Sequence, residues 1–295
     1  MSAPALRPPV FIIGNPRSGT TLLRLMLNAH PHIAVPPECG FAIWWKDRYH
    51  DWSANDAGTP RLATFLQDLA SSRKIGGWNL PWDDLKAELE HRAPPSYAAL
   101  ASAVYEFHGR THHPQLHRWG DKNNFHVRHI ADLRELFPEA LFLHIVRDGR
   151  DVACSYRQVH AAASSHQHAP KLPQDLQAIA TEWGDNLTQV TTAFNAFEWA
   201  GASEVRYEDL VTAPEVTLRD ICQFLGEDFD EAMLNYHHRS SEEGAEPPAF
   251  LAWKALTVQP PQTSQVGRYL ADLSAADTHL FNKQAGAPLR RYGYL

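Results

Sequence analysis

The chain has 295 residues, of which 44% are hydrophobic and 21% are charged, and its formal net charge is -7. This composition is typical of one large globular domain, here 1–295, and the acidic balance excludes nucleic acid as a general partner. No apolar run approaches the roughly 20 residues of a membrane-spanning helix, and the N-terminus lacks the apolar core of a signal peptide, so we expect a cytoplasmic protein.

The first predicted elements are a strand, a glycine loop and a helix. An apolar run from Val10 to Ile13 breaks at Gly14, and a helical pattern that includes Met26 begins at Gly19. Successive backbone N–H groups in such a loop, at the positive end of a helix, form a concave site for an oxyanion. The stretch predicts phosphate or sulfate binding, or alternatively an ordinary glycine turn that starts a helix.

This loop departs from the nucleoside-triphosphate loop at one position. That loop reads G-x-x-x-x-G-K-[ST], in which the lysine reaches the outer phosphates and the hydroxyl residue holds magnesium. Gly14 and Gly19 fit the pattern, but Thr20 stands in place of the lysine. The guanidinium of Arg17 and the hydroxyls of Thr20 and Thr21 can together hold one phosphate without a metal ion.

Residues 41–118 contain helical patterns and no clear strand. We expect a helical insertion after the first strand and helix, covering an acceptor pocket. Its aromatic side chains either line that pocket or belong to the core. The candidates are Trp44, Trp45, Tyr49, Trp52, Trp78, Trp82 and Trp119.

A second strand-like run is predicted at 140–148. It follows a helical face that extends from Val127 to Phe137. Arg147 therefore stands at the carboxyl end of a strand, and Ser155 lies about two turns into the next helix. Open α/β sheets bind their ligands at strand ends of this kind.

The remaining elements continue the alternation of helices and strands. A helical stripe runs from Leu176 to Phe197, a short strand and a turn follow at 203–210, and a helix is predicted over 213–226. Residues 236–265 are rich in proline and polar residues, which predicts a long loop excursion. The whole pattern predicts an α/β fold with a parallel sheet of the P-loop type flanked by helices.

Neither cysteines nor histidines form a metal signature. Cys39, Cys154 and Cys222 have neither zinc nor disulfide spacing, and we expect them to be buried as small apolar side chains. The histidine clusters at 108–117 and 160–168 lack the spacing of H-E-x-x-H. We interpret these histidines as solvated loop residues and predict no metal site.

Three separated stretches together resemble the PAPS-dependent sulfotransferases, in particular the branch of tyrosylprotein sulfotransferases and their bacterial relatives. PAPS is 3′-phosphoadenosine-5′-phosphosulfate. PRSGTT resembles the family loop around the 5′-phosphosulfate, VRDGRDVACS resembles the arginine and serine that bind the 3′-phosphate, and RYEDL contains the tyrosine near the adenine. A C-terminal stretch, TSQVGRYL, resembles the segment that closes over the nucleotide. The implied donor-binding residues are Arg17, Ser18, Gly19, Thr20, Thr21, Arg147, Ser155, Tyr207 and Arg268.

The resemblance also implies a catalytic set. Glu38 matches the glutamate that acts as the base in the tyrosylprotein branch, and Lys122 matches a lysine that supports the bridging oxygen, although asparagines follow it here in place of Asp-Pro. Arg17 is implied as a charge stabiliser, and Ser264 as a residue that positions the leaving group. A glutamate in a largely apolar pocket has a raised pKa, which suits a base that acts on a hydroxyl.

We therefore predict transfer of a sulfuryl group from PAPS, without a metal, to the hydroxyl of a small molecule, lipid, glycan or tyrosyl peptide. The product is 3′-phosphoadenosine-5′-phosphate, PAP. His30 and His32 are alternative bases, and a homodimer is a family-level expectation. The alternative functions are an ATP-dependent kinase and an inactive nucleotide-binding protein.

Overall fold

The computed structural model describes residues 6–163, 171–196, 200–238 and 259–295, and its centre is a five-stranded sheet. The strand order is β2-β3-β1-β4-β5, and every neighbouring pair is parallel. The strands are β1 (Val10–Ile13), β2 (Ile33–Ala34), β3 (Arg118–Lys122), β4 (Leu141–Val146) and β5 (Ala202–Arg206).

Helices connect the strands and cover the sheet. The helices that precede β3 are α1 (Thr20–Asn28), α2 (Phe41–Trp44), α3 (Lys46–Tyr49), α4 (Pro60–Ser71), α5 (Trp82–Arg92) and α6 (Tyr97–His112). Those that follow it are α7 (Ile130–Leu136), α8 (Gly149–Ala163), α9 (Leu176–Ala196), α10 (Tyr207–Thr212), α11 (Pro214–Leu225), α12 (Tyr269–Asp272), α13 (Ala275–Gln284) and α14 (Gly286–Arg291). Within the described residues, no helix is both long and apolar enough to span a bilayer.

Side chains alternate between the two faces of strand β1. All of them are buried because helices cover both faces of the parallel sheet. Val10 and Ile12 pack in the cluster that contains α1, α10 and α11. Phe11 and Ile13 belong to the opposite cluster, which is built mainly from α4, α5, α6 and β3. The two clusters place a hydrophobic layer on each side of the sheet and fix the strand ends that border the candidate site.

The helical insertion packs against β3 through an aromatic stack. Tyr105 of α6 lies parallel to Trp119 with 4.4 Å between ring centroids, and its hydroxyl donates to Asp121 at 2.9 Å. Trp78 lies 5.2 Å from the same tyrosine ring. Of the aromatic candidates, Tyr49, Trp52 and Trp78 of the insertion and Trp119 of β3 are buried, whereas Trp44 and Trp82 are exposed. Most of these rings therefore build the core.

The α/β fold class with a parallel sheet is confirmed, but two strands were missed. β2 has two residues, and β3 has the polar sequence RWGDK although all five of its residues are buried. Hydrophobic periodicity cannot identify such a strand, because its polar side chains are buried mostly against neighbours that are distant in the sequence, such as Leu225 for Arg118 and Thr21 for Lys122. Lys122 is the last residue of β3, and the run at 140–148 contains the fourth strand in chain order.

Two predicted elements also differ from the structure. The helix expected up to Phe137 is divided at His129 into a 3₁₀ turn, Asn124–Arg128, and α7. The turn expected after the strand in 203–210 is helix α10. Most of the predicted loop excursion, 239–258, lies outside the described residues.

Burial confirms the prediction for the cysteines and corrects the one for the histidines. All three cysteines are free and buried. In the 108–117 cluster, His108 and His113 are 8% and 2% exposed, and helix α6 extends through His112. The prediction of solvated loop histidines was wrong here because the cluster forms the end of a core helix.

Candidate active site

The loop between β1 and α1 requires glycine at both of its ends. A Cβ on Gly14 would lie 2.6 Å from the carbonyl oxygen of Ile145, and a Cβ on Gly19 would lie 2.5 Å from the Tyr207 ring. Gly19 has φ 95° and Arg17 has φ 67°, so the chain turns sharply before α1. Such a turn directs backbone N–H groups into one concave site, to which the first turn of the helix adds its own.

Two arginines meet at this loop. Arg17 Nε donates to Ser155 Oγ at 3.1 Å, and Arg147 donates to the carbonyl of Arg17 at 3.1 Å. The Arg147 guanidinium lies over the Tyr207 ring, 4.3 Å from its centroid. Burial and the neighbouring Arg147 lower the pKa of Arg17 to about 10. Two cations held this close are favourable when an anion lies between them.

Two buried polar atoms, one in the loop and one on an arginine that contacts it, have no hydrogen-bond partner among the described residues. Within the described part of the chain, Arg147 Nε and Ser18 Oγ are buried without a hydrogen bond. Buried donors without partners are rare in folded proteins, and at a ligand site they indicate the position of a missing acceptor. Burial also raises the pKa of Tyr207, which keeps this ring neutral beside the arginines.

A second cluster lies at the carboxyl ends of β1 and β3. Lys122 Nζ donates to Thr21 Oγ1 at 3.2 Å and forms an ion pair with Glu38 Oε1. Thr20 Oγ1 donates to Asn124 Oδ1 at 3.0 Å. The side chain of Lys122 is 1% exposed, and that of Glu38 is 12% exposed. The structure therefore places the proposed base, the proposed lysine and the loop threonines together.

The environment of Glu38 differs from the apolar pocket that we considered. Its second carboxylate oxygen, Oε2, forms an ion pair with Lys74, a residue of the helical insertion. Two ammonium groups favour the ionised carboxylate, which is the form that accepts a proton. Lys74 was missed because no local pattern in the sequence links it to Glu38.

A buried network behind the loop was also missed. Asn15 is 1% exposed, donates to Tyr156 OH at 3.1 Å and accepts from Asn186 at 2.7 Å. Tyr156 in turn donates to Glu182 at 2.8 Å. The network ties the loop to α8 and α9. The only available signal was the position of Asn15 directly after the first glycine.

The C-terminal candidates lie on a segment that docks against α8. Asp151 accepts from the backbone N–H groups of Gly267 and Tyr269 at 2.7 and 3.0 Å, and Arg147 donates to the carbonyl of Gln265 at 2.6 Å. Ser264, in the 3₁₀ turn Thr263–Gln265, is exposed.

Arg268 binds Asp272 at 2.6 Å and Gln158 at 3.0 Å. Gln158 lies three residues after Ser155 on α8, so Arg268 contacts the helical face that carries Ser155. The structure thus brings the segment to the site.

His30 and His32, the alternative candidates for the base, lie near the amino-terminal end of β3, opposite the end that carries Lys122. His32 precedes β2, and its neighbour Ile33 pairs with Arg118, the first residue of β3. Lys122 is four residues further along that strand, roughly 13 Å away. Burial lowers the pKa of His30, whose Nε2 lies 2.8 Å from the carbonyl of Asp228.

One group of possible metal ligands occurs at that far end. Ligand atoms of His32, His117 and Glu227 lie within 4.8 Å of one another. Glu227 already forms ion pairs with Arg7 at 3.1 Å and Arg118 at 3.8 Å. These guanidiniums compensate its charge and disfavour a cation, so we assign Glu227 a structural ion-pairing role.

Comparison with known proteins places this arrangement in context. The sequence profile of the Sulfotransferase family matches residues 8–231. Protein-tyrosine sulfotransferase A of Caenorhabditis elegans is 28% identical over 232 residues, which are 78% of this chain and 52% of that protein. The chain thus spans about half the length of this curated relative.

Two solved structures are similar in fold. The sulfotransferase domain from the Synechococcus PCC 7002 olefin synthase superposes with a TM-score of 0.63 at 24% identity, covering 96% of this chain and 98% of the other. Mouse sulfotransferase SULT7A1 complexed with PAP superposes with a TM-score of 0.51 at 15% identity, covering 98% and 90%.

Proposed function

The chain belongs to the sulfotransferase family, and we propose that its cleft binds PAPS and transfers the sulfuryl group to a hydroxyl of an acceptor. The observation that carries the proposal is the contact of Arg147 with the carbonyl of Arg17, whose own guanidinium binds Ser155. Arg147 Nε and Ser18 Oγ are buried there with no hydrogen-bond partner among the described residues. A nucleotide with a phosphate at each end supplies acceptors for both arginines. The mouse structure that contains PAP supports this choice of nucleotide.

The chemistry follows from the second cluster. Glu38 accepts the proton of the acceptor hydroxyl while the acceptor oxygen forms a bond to sulfur. The bond between sulfur and the bridging oxygen of the 5′-phosphate breaks, and PAP leaves. In this proposal Lys122 and Arg17 stabilise charge on the transferring group and the leaving phosphate, which is supported by their hydrogen bonds to Thr21 and Ser155 beside the loop.

The acceptor is the open part of the proposal. The Caenorhabditis elegans relative is named as a protein-tyrosine sulfotransferase, which makes a tyrosyl peptide the first acceptor to test. Small phenols, lipids and glycans belong in the same panel because the site itself demands only a hydroxyl near Glu38.

Calorimetric titration tests the donor. We expect PAP to bind in the presence of EDTA, because the positive charge that it needs comes from arginines and lysines. ATP with magnesium is the comparison for the kinase alternative. Binding of ATP with magnesium but not PAP would overturn the proposal, and transfer of labelled sulfate from PAPS to a panel member would exclude an inactive nucleotide-binding protein.

A further inference from the structure

Lys74 is a side chain of the helical insertion that contacts the candidate site. This residue follows α4 and begins the 3₁₀ turn Ile75–Trp78, and its Nζ forms an ion pair with Glu38 Oε2. The other carboxylate oxygen of Glu38 pairs with Lys122. Each oxygen of the proposed base therefore has its own lysine, one from the sheet and one from the insertion.

The turn that carries Lys74 is fixed to the segment that carries Glu38. Trp78 is 2% exposed, and its indole N–H donates to the carbonyl of Pro37 at 2.8 Å. Trp45 donates to Ser72 Oγ at 2.8 Å, just before the turn. The insertion therefore contacts two adjacent residues: Trp78 binds the backbone of Pro37, and Lys74 binds the side chain of Glu38.

The backbone at Lys74 is specialised for this contact. Lys74 has φ 72°, a left-handed conformation that residues with a Cβ seldom adopt. Its carbonyl accepts from Gly77 N at 3.1 Å, and the adjacent Ile75 is 2% exposed. Buried neighbours on one side and a hydrogen-bonded turn on the other hold the lysine in an orientation that reaches Glu38.

The charges of the cluster explain why one lysine is insufficient. In the proposed reaction Lys122 must stabilise the transferring sulfuryl group or the leaving phosphate. With Lys122 alone, both carboxylate oxygens would compete for the same ammonium group and neutralise it. A second cation holds Glu38 ionised and turns one oxygen away from Lys122.

We propose that Lys74 is a positioning residue for Glu38, which keeps this carboxylate ionised and aligned independently of Lys122. The proposal rests on the proposed sulfotransferase function. It gives the helical insertion a role in the reaction, since the insertion supplies the second of the two lysines that pair with the Glu38 carboxylate.

The titration of Glu38 tests the proposal without any acceptor. Carbon-13 resonances of glutamate carboxyls are followed against pH, and the signal absent in Glu38→Gln identifies Glu38. In Lys74→Met we expect the midpoint for Glu38 to move upward by about 1 unit or more, because a nearby cation favours the ionised form. Lys74→Arg should restore the midpoint of the wild type.

A matched control separates this effect from a general loss of charge. Lys46 also belongs to the insertion, but its ion pairs, at 2.7 Å, are with Asp132 and Glu135. Lys46→Met removes the same charge and should leave the Glu38 midpoint unchanged. Equal midpoints in Lys74→Met and wild type would overturn the proposal.

Kinetics and binding separate this inference from the proposed function. With PAPS and the best acceptor of the panel, Lys74→Met should lower kcat about tenfold and move the acidic limb of its pH profile to higher pH. PAP affinity should stay within about twofold, since the arginine site is intact. A wild type that fails to bind PAP contradicts the function, whereas an unchanged profile in an active Lys74→Met enzyme contradicts only the role of Lys74.

Discussion

At the scale of single residues, the candidate site depends on charges that compensate one another. Arg17 and Arg147 lie together at the glycine loop, while Glu38 lies between Lys122 and Lys74. The chain as a whole is acidic, with a net charge of -7. Despite this overall balance, the fold brings four cationic side chains, Arg17, Arg147, Lys122 and Lys74, to the candidate site.

Glu38→Gln tests the role of the carboxylate. The amide keeps the size of the side chain but has no basic oxygen, so turnover should fall by about 10² to 10⁴ while PAP still binds. Sulfate transfer and calorimetry on the same preparation measure the two effects. A fully active Glu38→Gln enzyme would show that another group accepts the proton.

At the scale of elements, the site is formed by loops that the sheet and its helices hold in place. The Gly14–Gly19 loop fits between Ile145 and Tyr207, which belong to β4 and α10. The Lys74 turn is held in the insertion by Trp45 and Trp78.

Gly19→Ala tests the fit of the loop. The added Cβ would lie 2.5 Å from the Tyr207 ring at a φ of 95°, so the loop must shift. We expect a destabilisation of about 1–3 kcal/mol and weaker PAP binding, measured by thermal unfolding and calorimetry. Gly58→Ala is the control, because a Cβ on Gly58 would meet no atom of the described residues within 4 Å; equal effects of both substitutions would contradict the argument.

His108→Gln tests the pH dependence of the insertion. Burial lowers the pKa of His108 to about 3, so between pH 6.5 and about 3 the unfolded chain binds a proton that the folded chain does not. Stability should therefore fall as the pH decreases below 6.5, by at most about 1.4 kcal/mol per pH unit from this residue.

The variant should show a correspondingly shallower decline in melting temperature between pH 7 and pH 5. His279→Gln, a substitution at an exposed position, should retain the slope of the wild type. Parallel curves for wild type and His108→Gln would contradict the assignment of His108 as a buried neutral histidine.

At the scale of the whole molecule, the site joins parts of the chain that lie far apart in the sequence. The loop after β1, the end of β3, α8, α10 and the segment at 263–269 all meet at one edge of the sheet. A ligand that contacts all of them links these parts and stabilises the folded state by mass action.

PAP should therefore raise the melting temperature. At a concentration of 100 times its Kd the stabilisation is about 2.7 kcal/mol, which corresponds to a shift of about 5 °C for a domain of this size. Differential scanning fluorimetry measures the shift, and added salt should reduce it. Arg147→Ala should abolish the shift, whereas Arg219→Ala, which removes an exposed ion pair with Glu215, should retain it.

The fold class and the turn between β1 and α1 could be predicted from the sequence, because both depend on local patterns. Apolar runs and helical spacing identified β1, the run around β4 and most of the long helices. Gly14, Arg17 and Gly19 lie within six residues of one another, so their spacing predicts a turn of the backbone without knowledge of distant neighbours.

The pairing of charged side chains could not be predicted from the sequence and became visible in the three-dimensional structure. β3 is polar in sequence yet buried, and Lys74 reaches Glu38 across 36 positions of the chain. His108 and His113 are buried because α6 packs into the core, although their cluster looks hydrophilic. Burial and pairing of polar side chains depend on neighbours that the sheet topology brings together, and this information is absent from any short stretch of sequence.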